Sequence, residues 1–404
     1  MKTDIHDRFK NTPEGQEAES ILRSCVHCGF CTATCPTYQE LNDERDGPRG
    51  RIYLIKQLLE SNEATDKTLT HLDRCLTCRS CETTCPSGVK YGRLVDIGRE
   101  IIEQKVERPI KDKVIRWGLR QVLPNELMFK SLLQLGHAVA PVLPENLRNK
   151  LPAKQFTGAW PVPKHSRKMI ALKGCVQGAA TPNTNGAAAR VLDHIGIDLI
   201  EVPEAGCCGA VNYHLADAVT ARQHVRQNID AWWPHVEAGA EALVMTASGC
   251  GLMVKEYGDV LRYDPDYAEK ARRISDLTYD LSEILNNEDL SGLKTKSVEK
   301  VAVHCPCTLQ HGQKLPDSVQ QVLEKCGVVP ARTKDKHLCC GSAGTYSILQ
   351  PEMSQKLLSN KVAALTMDNP DTIVTANIGC QLHLATQAEV PVKHWIELVD
   401  EITS

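Results

Sequence analysis

The stretch CVHCGFCTATCP at residues 25–36 returns as CLTCRSCETTCP at residues 75–86, and these two runs decide the N-terminal fold. Each has the form C-x2-C-x2-C-x3-C-P, the spacing that holds a [4Fe–4S] cluster. Three thiolates on one tight loop grip three corners of a cubane. The proline then turns the chain away, so that the fourth thiolate points at the other cluster. One cluster is accordingly assigned to Cys25, Cys28, Cys31 and Cys85, and the second to Cys75, Cys78, Cys81 and Cys35. Zinc also takes cysteine tetrads, but usually from separated C-x2-C pairs rather than from triads with a following C-P.

Around these loops the pattern is helical. In DGPRGRIYLIKQLLES (46–61), Gly and Pro end a loop before Ile52, Ile55, Leu58 and Leu59 recur at helical spacing, and LVDIGREIIEQKV (94–106) repeats the pattern. The expectation is a helical two-cluster ferredoxin domain over residues 1–109. Arg49 and Arg51 could place positive charge near a cluster, but an exposed arginine at a helix start is the commoner case. Small residues beside the ligands, among them Gly29, Thr32, Thr77 and Ser80, leave backbone amides free to hydrogen-bond cluster sulfurs and tune potential.

The rest of the chain is bounded by composition. With 404 residues there is room for two or three cores, and a net charge of -3 offers no electrostatic reason for a nucleic-acid partner. The first twenty residues lack the apolar core of a secretory signal, and no run of 18 apolar residues follows. A cytoplasmic, non-spanning protein is expected. Eighteen cysteines in such a chain point to metal ligation or redox work rather than to disulfides.

Residues 110–165 read as an amphipathic helical connector. Trp117, Leu119, Leu127, Met128, Phe129, Leu132, Leu133 and Leu135 form an apolar face flanked by Lys111, Lys113, Arg116, Arg120 and Lys130. Such a face either lies on a membrane or partner surface or packs on its own protein.

Beyond it the chain contains one unit twice, over residues 166–296 and 297–404. Cys175 precedes the pair Cys207–Cys208 by 31 intervening residues, and Cys307 precedes Cys339–Cys340 by the same 31. Cys250 ends TASGC and Cys380 ends ANIGC. Two cysteines remain. Cys326 aligns with Ile195, a core position, whereas Cys305, aligned with Lys173, is either an extra ligand or a strand residue. Short β-rich runs (MIALKG, VAVH, ALVMTAS, TIVTANI) alternate with helical ones, which implies a parallel sheet in each copy with cysteines at the carboxyl ends of the strands. His383, three residues after Cys380, is a candidate for completing a coordination shell, since imidazole also binds iron; Met253 at the matching place reads as core.

Two ferredoxin motifs followed by two Cys–Cys–Gly units resemble the iron–sulfur subunits of membrane-linked flavin dehydrogenases over nearly the whole chain. VAVHCPCTLQHGQKL, HLCCGSAGTY, TANIGCQLH and VKHWIELV look most like the glycolate oxidase (glycolate dehydrogenase) family. That resemblance implies an electron-transfer subunit that does not oxidise substrate alone. It implies a partner flavoprotein converting glycolate to glyoxylate, and a quinone or other membrane carrier as acceptor, with the chain peripheral on the inner face of the cell membrane. Related iron–sulfur subunits serve lactate and glycerol-3-phosphate dehydrogenases. The heterodisulfide reductase branch, a thiol/disulfide enzyme, holds an unusual cluster through five cysteines ending in C-x2-C. Here Met253 and His383 replace the last of these, which leaves a third iron–sulfur cluster of ordinary or altered type as an expectation for the second copy. No flavin is expected on this chain, because GSAGTY at 341–346 lacks G-x-G-x-x-G spacing.

Overall fold

Prolines and glycines punctuate the N-terminal third into short helices. The computed structural model, which describes residues 1–144, 148, 151–293 and 299–403, shows how they stack. Helix Pro48–Ser61 has Gly47 at its cap and proline in its first turn, where an N–H would have no intrahelical partner, and it stops at Asn62 with φ of 57°. Ile52, Ile55, Leu58 and Leu59 face inward, packed in one core with Leu22, Leu72, Leu94 and Ile102 of the helices Pro13–Ser24, Asp66–Asp73 and Tyr91–Glu103. Each such fully buried side chain contributes roughly 1.5–3 kcal/mol.

The two arginines at this helix start part company. Arg49 stays half exposed and pairs with Glu44 at 2.6 Å. Arg51, expected in solvent, is 1 % exposed. Residues 51, 55 and 58 share one helical stripe, so the spacing that buries Ile55 and Leu58 buries Arg51 too. It donates to the His71 carbonyl at 2.7 Å and to Thr37 Oγ1 at 3.2 Å, and its guanidinium lies 3.4 Å from Asp46.

The connector forms helices Ile110–Val122 and Glu126–Val139, and its apolar face divides. Phe129 and Leu133 turn inward against Ala180, Ala247 and Ile378 of the repeats. Ile110, Val114, Trp117, Leu127, Leu132 and Leu135 remain exposed. Arg116 does not flank that exposed face: it is buried on Asp73 at 3.0 Å, where Arg108 also binds.

The first repeat is a parallel sheet of β1 (Arg167–Ala171), β2 (Ile197–Glu201), β3 (Ala242–Met245) and β4 (Thr278–Asp280) in the order β2-β1-β3-β4. The second contains β5 (Val301–His304), β6 (Thr372–Thr375) and β7 (Val392–His394), also parallel, in the order β5-β6-β7. Where copy one has β2, copy two keeps a single bridge from Val301 to Pro330. The Ala331 amide continues it with one bond to the Val301 carbonyl at 2.8 Å. The boundary expected at residues 296 and 297 lies outside the described residues.

The copies share one core, and their end helices pack crosswise. Helix Asn183–His194 of copy one packs on Trp395–Thr403, the last helix of copy two, while Ser318–Lys325 of copy two packs on Leu281–Asn287, the last helix of copy one. Arg190 binds Asp400 at 2.7 Å in the first pair, and Ser282 Oγ meets Ser318 Oγ at 2.8 Å in the second.

Candidate metal centres

In both N-terminal motifs the backbone bends at the same two places. His27 and Gly29 in the first loop, and Thr77 and Arg79 in the second, all have positive φ. These left-handed turns wrap each loop inward, and Thr77 N lies 3.4 Å from Cys75 Sγ. The motifs interlock through Thr34, whose Oγ1 meets Thr84 Oγ1 at 3.1 Å and the Ser80 carbonyl at 3.3 Å.

Two cavities result. One is lined by Cys25, Cys28, Cys31 and Cys85, with Arg49, Cys81 and Tyr91 at its wall. The other is lined by Cys35, Cys75, Cys78 and Cys81, with Arg51 and Tyr91. Burial pushes the Cys31 thiol up to about 11, and Cys25, Cys85 and Cys28 add to the rise. Cys78 and Cys81 are driven up in the same way, first by burial and then by neighbouring thiols. Converging buried thiols that repel one another's charge are a donor set suited to a bound cationic centre, which stabilises thiolates. Burial opposes the charge on Arg51, but Tyr91, Cys75, Cys35 and Asp46 more than offset it and keep the guanidinium protonated.

Each repeat gathers its own thiols past the ends of its strands. In copy one Cys175 begins a helix after β1 with its Sγ 3.5 Å from that of Cys207, and Cys207 and Cys250 are close enough to Cys208 to perturb its thiol. In copy two the Cys307–Cys339 separation is 3.9 Å, and Cys339 and Cys380 perturb the thiol of Cys340 in the same way. The glycine after each pair is a geometric requirement. Gly209 and Gly341 have φ of 90° and 88°, and their amides point at Cys207 and Cys339 Sγ at 3.5 and 3.4 Å.

The remaining candidates have other immediate partners. Cys305 packs against the shared core, its Sγ 3.8 Å from the Leu315 carbonyl. Cys326 is fully buried in that core, and Met253 is core in copy one. His383 Nε2 sits 3.0 Å from Ser354 Oγ. A different histidine joins the thiols: a ring nitrogen of His304 lies within 4.8 Å of Cys340 and Cys380 Sγ. It ends the VAVH run and aligns with Leu172, so a polar break in an otherwise apolar column of the repeat was the available signal.

The ferredoxin domain docks onto both copies. Arg79 forms an ion pair with Glu256, and Thr83 Oγ1 meets His311 Nδ1 at 2.9 Å. Tyr346 donates to the Arg74 carbonyl at 3.0 Å. Cys78 and Cys307 pack in one apolar cluster with Leu76, Cys339 and Tyr346, which sets the second cavity beside the thiols of copy two.

Residues 21–89 match the 4Fe-4S dicluster domain, and residues 170–255 and 301–385 each match the cysteine-rich domain. Over 403 residues the chain is 55 % identical to the glycolate oxidase iron-sulfur subunit of Escherichia coli (strain K12), covering 99 % of both chains. The chain belongs to the family of glycolate oxidase iron–sulfur subunits. A probable glycolate oxidase iron-sulfur subunit of Bacillus subtilis (strain 168) is 32 % identical, with 94 % of this chain and 91 % of the relative covered. Lactate utilization protein A of Bacillus licheniformis is 27 % identical over 52 % of this chain and 87 % of its own. Among solved structures, a hypothetical protein from Helicobacter pylori shares the fold with a TM-score of 0.58 at 11 % identity, over 99 % of this chain and 75 % of that one. Members of this iron–sulfur family are electron-transfer subunits of an oxidoreductase complex, and so is this chain. Among its described residues no helix is long and apolar enough to cross a membrane.

Proposed function

We propose that this chain relays electrons from a partner flavoprotein that oxidises glycolate to glyoxylate, and delivers them to a quinone or another membrane carrier. Cys25, Cys28, Cys31 and Cys85 are read as the ligands of one [4Fe–4S] cluster, and Cys35, Cys75, Cys78 and Cys81 as those of the other. Bound clusters supply one-electron carriers; what the chain supplies is their order in space.

The observation that carries this reading is a graded series of sites. The first cavity reaches the surface at Cys28, the only exposed cysteine among the described ones. Cys81 and Tyr91 form a wall common to both cavities. The second cavity abuts Cys307 and Cys339 of the second repeat. Thiol sites thus run from solvent to interior without a gap in the packing.

The exposed apolar residues Ile110, Trp117, Leu127 and Leu132, flanked by Lys111, Lys113 and Lys130, support a peripheral seat on the inner face of the cell membrane.

The decisive experiment is anaerobic mixing of the cluster-loaded chain with the co-purified flavoprotein and glycolate. Cluster bleaching should require both partner and glycolate, and the chain alone should not oxidise glycolate. Failure of any flavoprotein to co-purify with or reduce the chain overturns the reading. Disulfide reduction by the isolated chain would replace it with a thiol/disulfide enzyme.

A further inference from the structure

We infer that the thiol site of the second repeat is a mixed site in which His304 Nε2 joins Cys307, Cys339, Cys340 and Cys380 as a ligand to an iron–sulfur centre, and that the first repeat has no counterpart to it. This rests on the reading of the chain as an iron–sulfur relay.

The imidazole is placed as a ligand is placed. His304 closes β5, is 2 % exposed, and brings a ring nitrogen within 4.8 Å of the Cys340 and Cys380 sulfurs. Its Nδ1 is held 2.9 Å from Thr375 Oγ1 at the end of the neighbouring strand β6. Its Nε2 is buried and has no hydrogen-bond partner among the described residues. A buried nitrogen without a partner is costly, and natural interiors seldom tolerate one unless it meets an ion. With the proton on Nδ1 donated to Thr375, the Nε2 lone pair is free for coordination, and the second-shell hydroxyl fixes ring orientation.

The comparison between copies makes the case specific. His304, Thr375 and Asn377 occupy the places that Leu172, Met245 and Ala247 hold in copy one. All three of the latter are buried and apolar. Copy two therefore carries an imidazole, a hydroxyl that orients it, and an amide whose Nδ2 lies 3.6 Å from Cys380 Sγ, where copy one offers only hydrocarbon and a thioether. Lys361, 3 % exposed, donates to the Asp335 carbonyl at 2.8 Å; burial lowers its pKa, and the thiols of Cys340, Cys339, Cys305 and Cys380 oppose that shift. As the donor added to four thiolates, a neutral nitrogen brings none of the negative charge that a fifth thiolate would bring, which keeps the potential of the cluster higher. The second repeat is thereby marked as the electron sink next to Cys78, while the all-thiol first repeat stands electronically apart.

The test uses the full-length, cluster-loaded chain labelled with ¹⁵N-histidine, poised so that only the highest-potential centre is reduced, and read by pulsed EPR. A histidine ¹⁵N coupling is expected in the wild type. It should vanish in His304→Gln and in Cys307→Ser, and persist in His383→Ala. His304→Cys should keep the centre, lose the coupling and shift the midpoint to lower potential. A third centre with no nitrogen coupling, or one unchanged in His304→Gln, overturns the histidine assignment and leaves the relay intact. Iron and sulfide contents matching only the two N-terminal clusters, or zinc at this site, overturn the assignment together with the notion of a third redox centre. The wild-type spectrum decides even if a variant fails to fold.

Discussion

Nε2 of His394, at the end of β7 in the second repeat, lies 2.7 Å from the carbonyl oxygen of Thr246, just beyond β3 in the first. The other ring nitrogen, Nδ1, accepts from the Ile396 amide at 3.2 Å. The ring is therefore satisfied only when neutral, with its single proton on Nε2, and it ties the two copies together. Burial lowers its pKa from 6.5 to about 4, partly opposed by the Thr246 carbonyl.

Acid should loosen the joint between the copies. A basic group whose pKa is depressed on folding binds its proton more readily when unfolded, so its contribution is complete above pH 6.5 and is lost as pH falls toward about 4. The shift corresponds to about 3 kcal/mol. Chemical denaturation at pH 7 and pH 5 should show wild type losing more stability than His394→Gln, which cannot titrate. Equal losses would remove His394 as the acid-sensitive group.

Arg51 should set the potential of one N-terminal cluster and leave its neighbour alone. Its guanidinium lines only the cavity of Cys35, Cys75, Cys78 and Cys81. Arg51→Gln removes a buried positive charge there, so that cluster should become harder to reduce in a potentiometric EPR titration, while the other midpoint stays put. Because the arginine also braces Asp46 and Thr37, about 3 kcal/mol of stability should go with it.

The ion pair between Arg79 and Glu256 should govern how the ferredoxin domain sits on the repeats. The Arg79 side chain is 11 % exposed, so Glu256→Ala strands a nearly buried cation. A loss of about 3 kcal/mol is expected, together with faster proteolytic cutting in the connector, and Arg79→Ala should mimic it. Unchanged protease patterns in both variants would contradict a docking role.

The two glycines of the Cys–Cys–Gly units should respond unequally to alanine. At Gly341 a Cβ would stand 2.5 Å from the Ser354 carbonyl oxygen; at Gly209 the nearest atom is the Ala221 carbonyl oxygen at 3.1 Å. Both changes impose a strained φ costing about 1–3 kcal/mol, but Gly341→Ala adds a backbone collision. Thermal melts and iron content should fall further for Gly341→Ala than for Gly209→Ala.

The exposed connector face should behave as a lipid-seeking surface. Trp117→Ser with Leu132→Ser should abolish co-flotation with vesicles rich in anionic lipid without altering iron content, since neither side chain packs in a core. Full flotation of the double variant would rule this face out.

Much of this architecture is legible in the chain itself, because its constraints are local. Cluster loops are dictated by cysteine spacing and proline, helix Pro48–Ser61 by its capping glycine and apolar stripe, and the duplication by two equal intervals between cysteines. What escaped depends on three-dimensional context. Arg51 is charged, and charge argues for solvent unless one knows that Asp46, Thr37 and the His71 carbonyl wait for it in the interior. His304 sits beside Cys305, which draws attention by residue type, yet neighbours at a strand end point opposite ways, so the thiol enters the core and the imidazole faces the other thiols.

The crossed packing of the last helices carries a consequence for how the chain is put together. Each copy lends its final helix to cover the flank of the other, in the manner of subunits that have exchanged arms. A single copy made alone would present that bare flank to water and would tend to join a second of its kind, so the polypeptide amounts to a dimer held in one strand. Tethering guarantees that the two partners are never identical, and so lets one of them accept an imidazole while the other keeps its hydrocarbon lining.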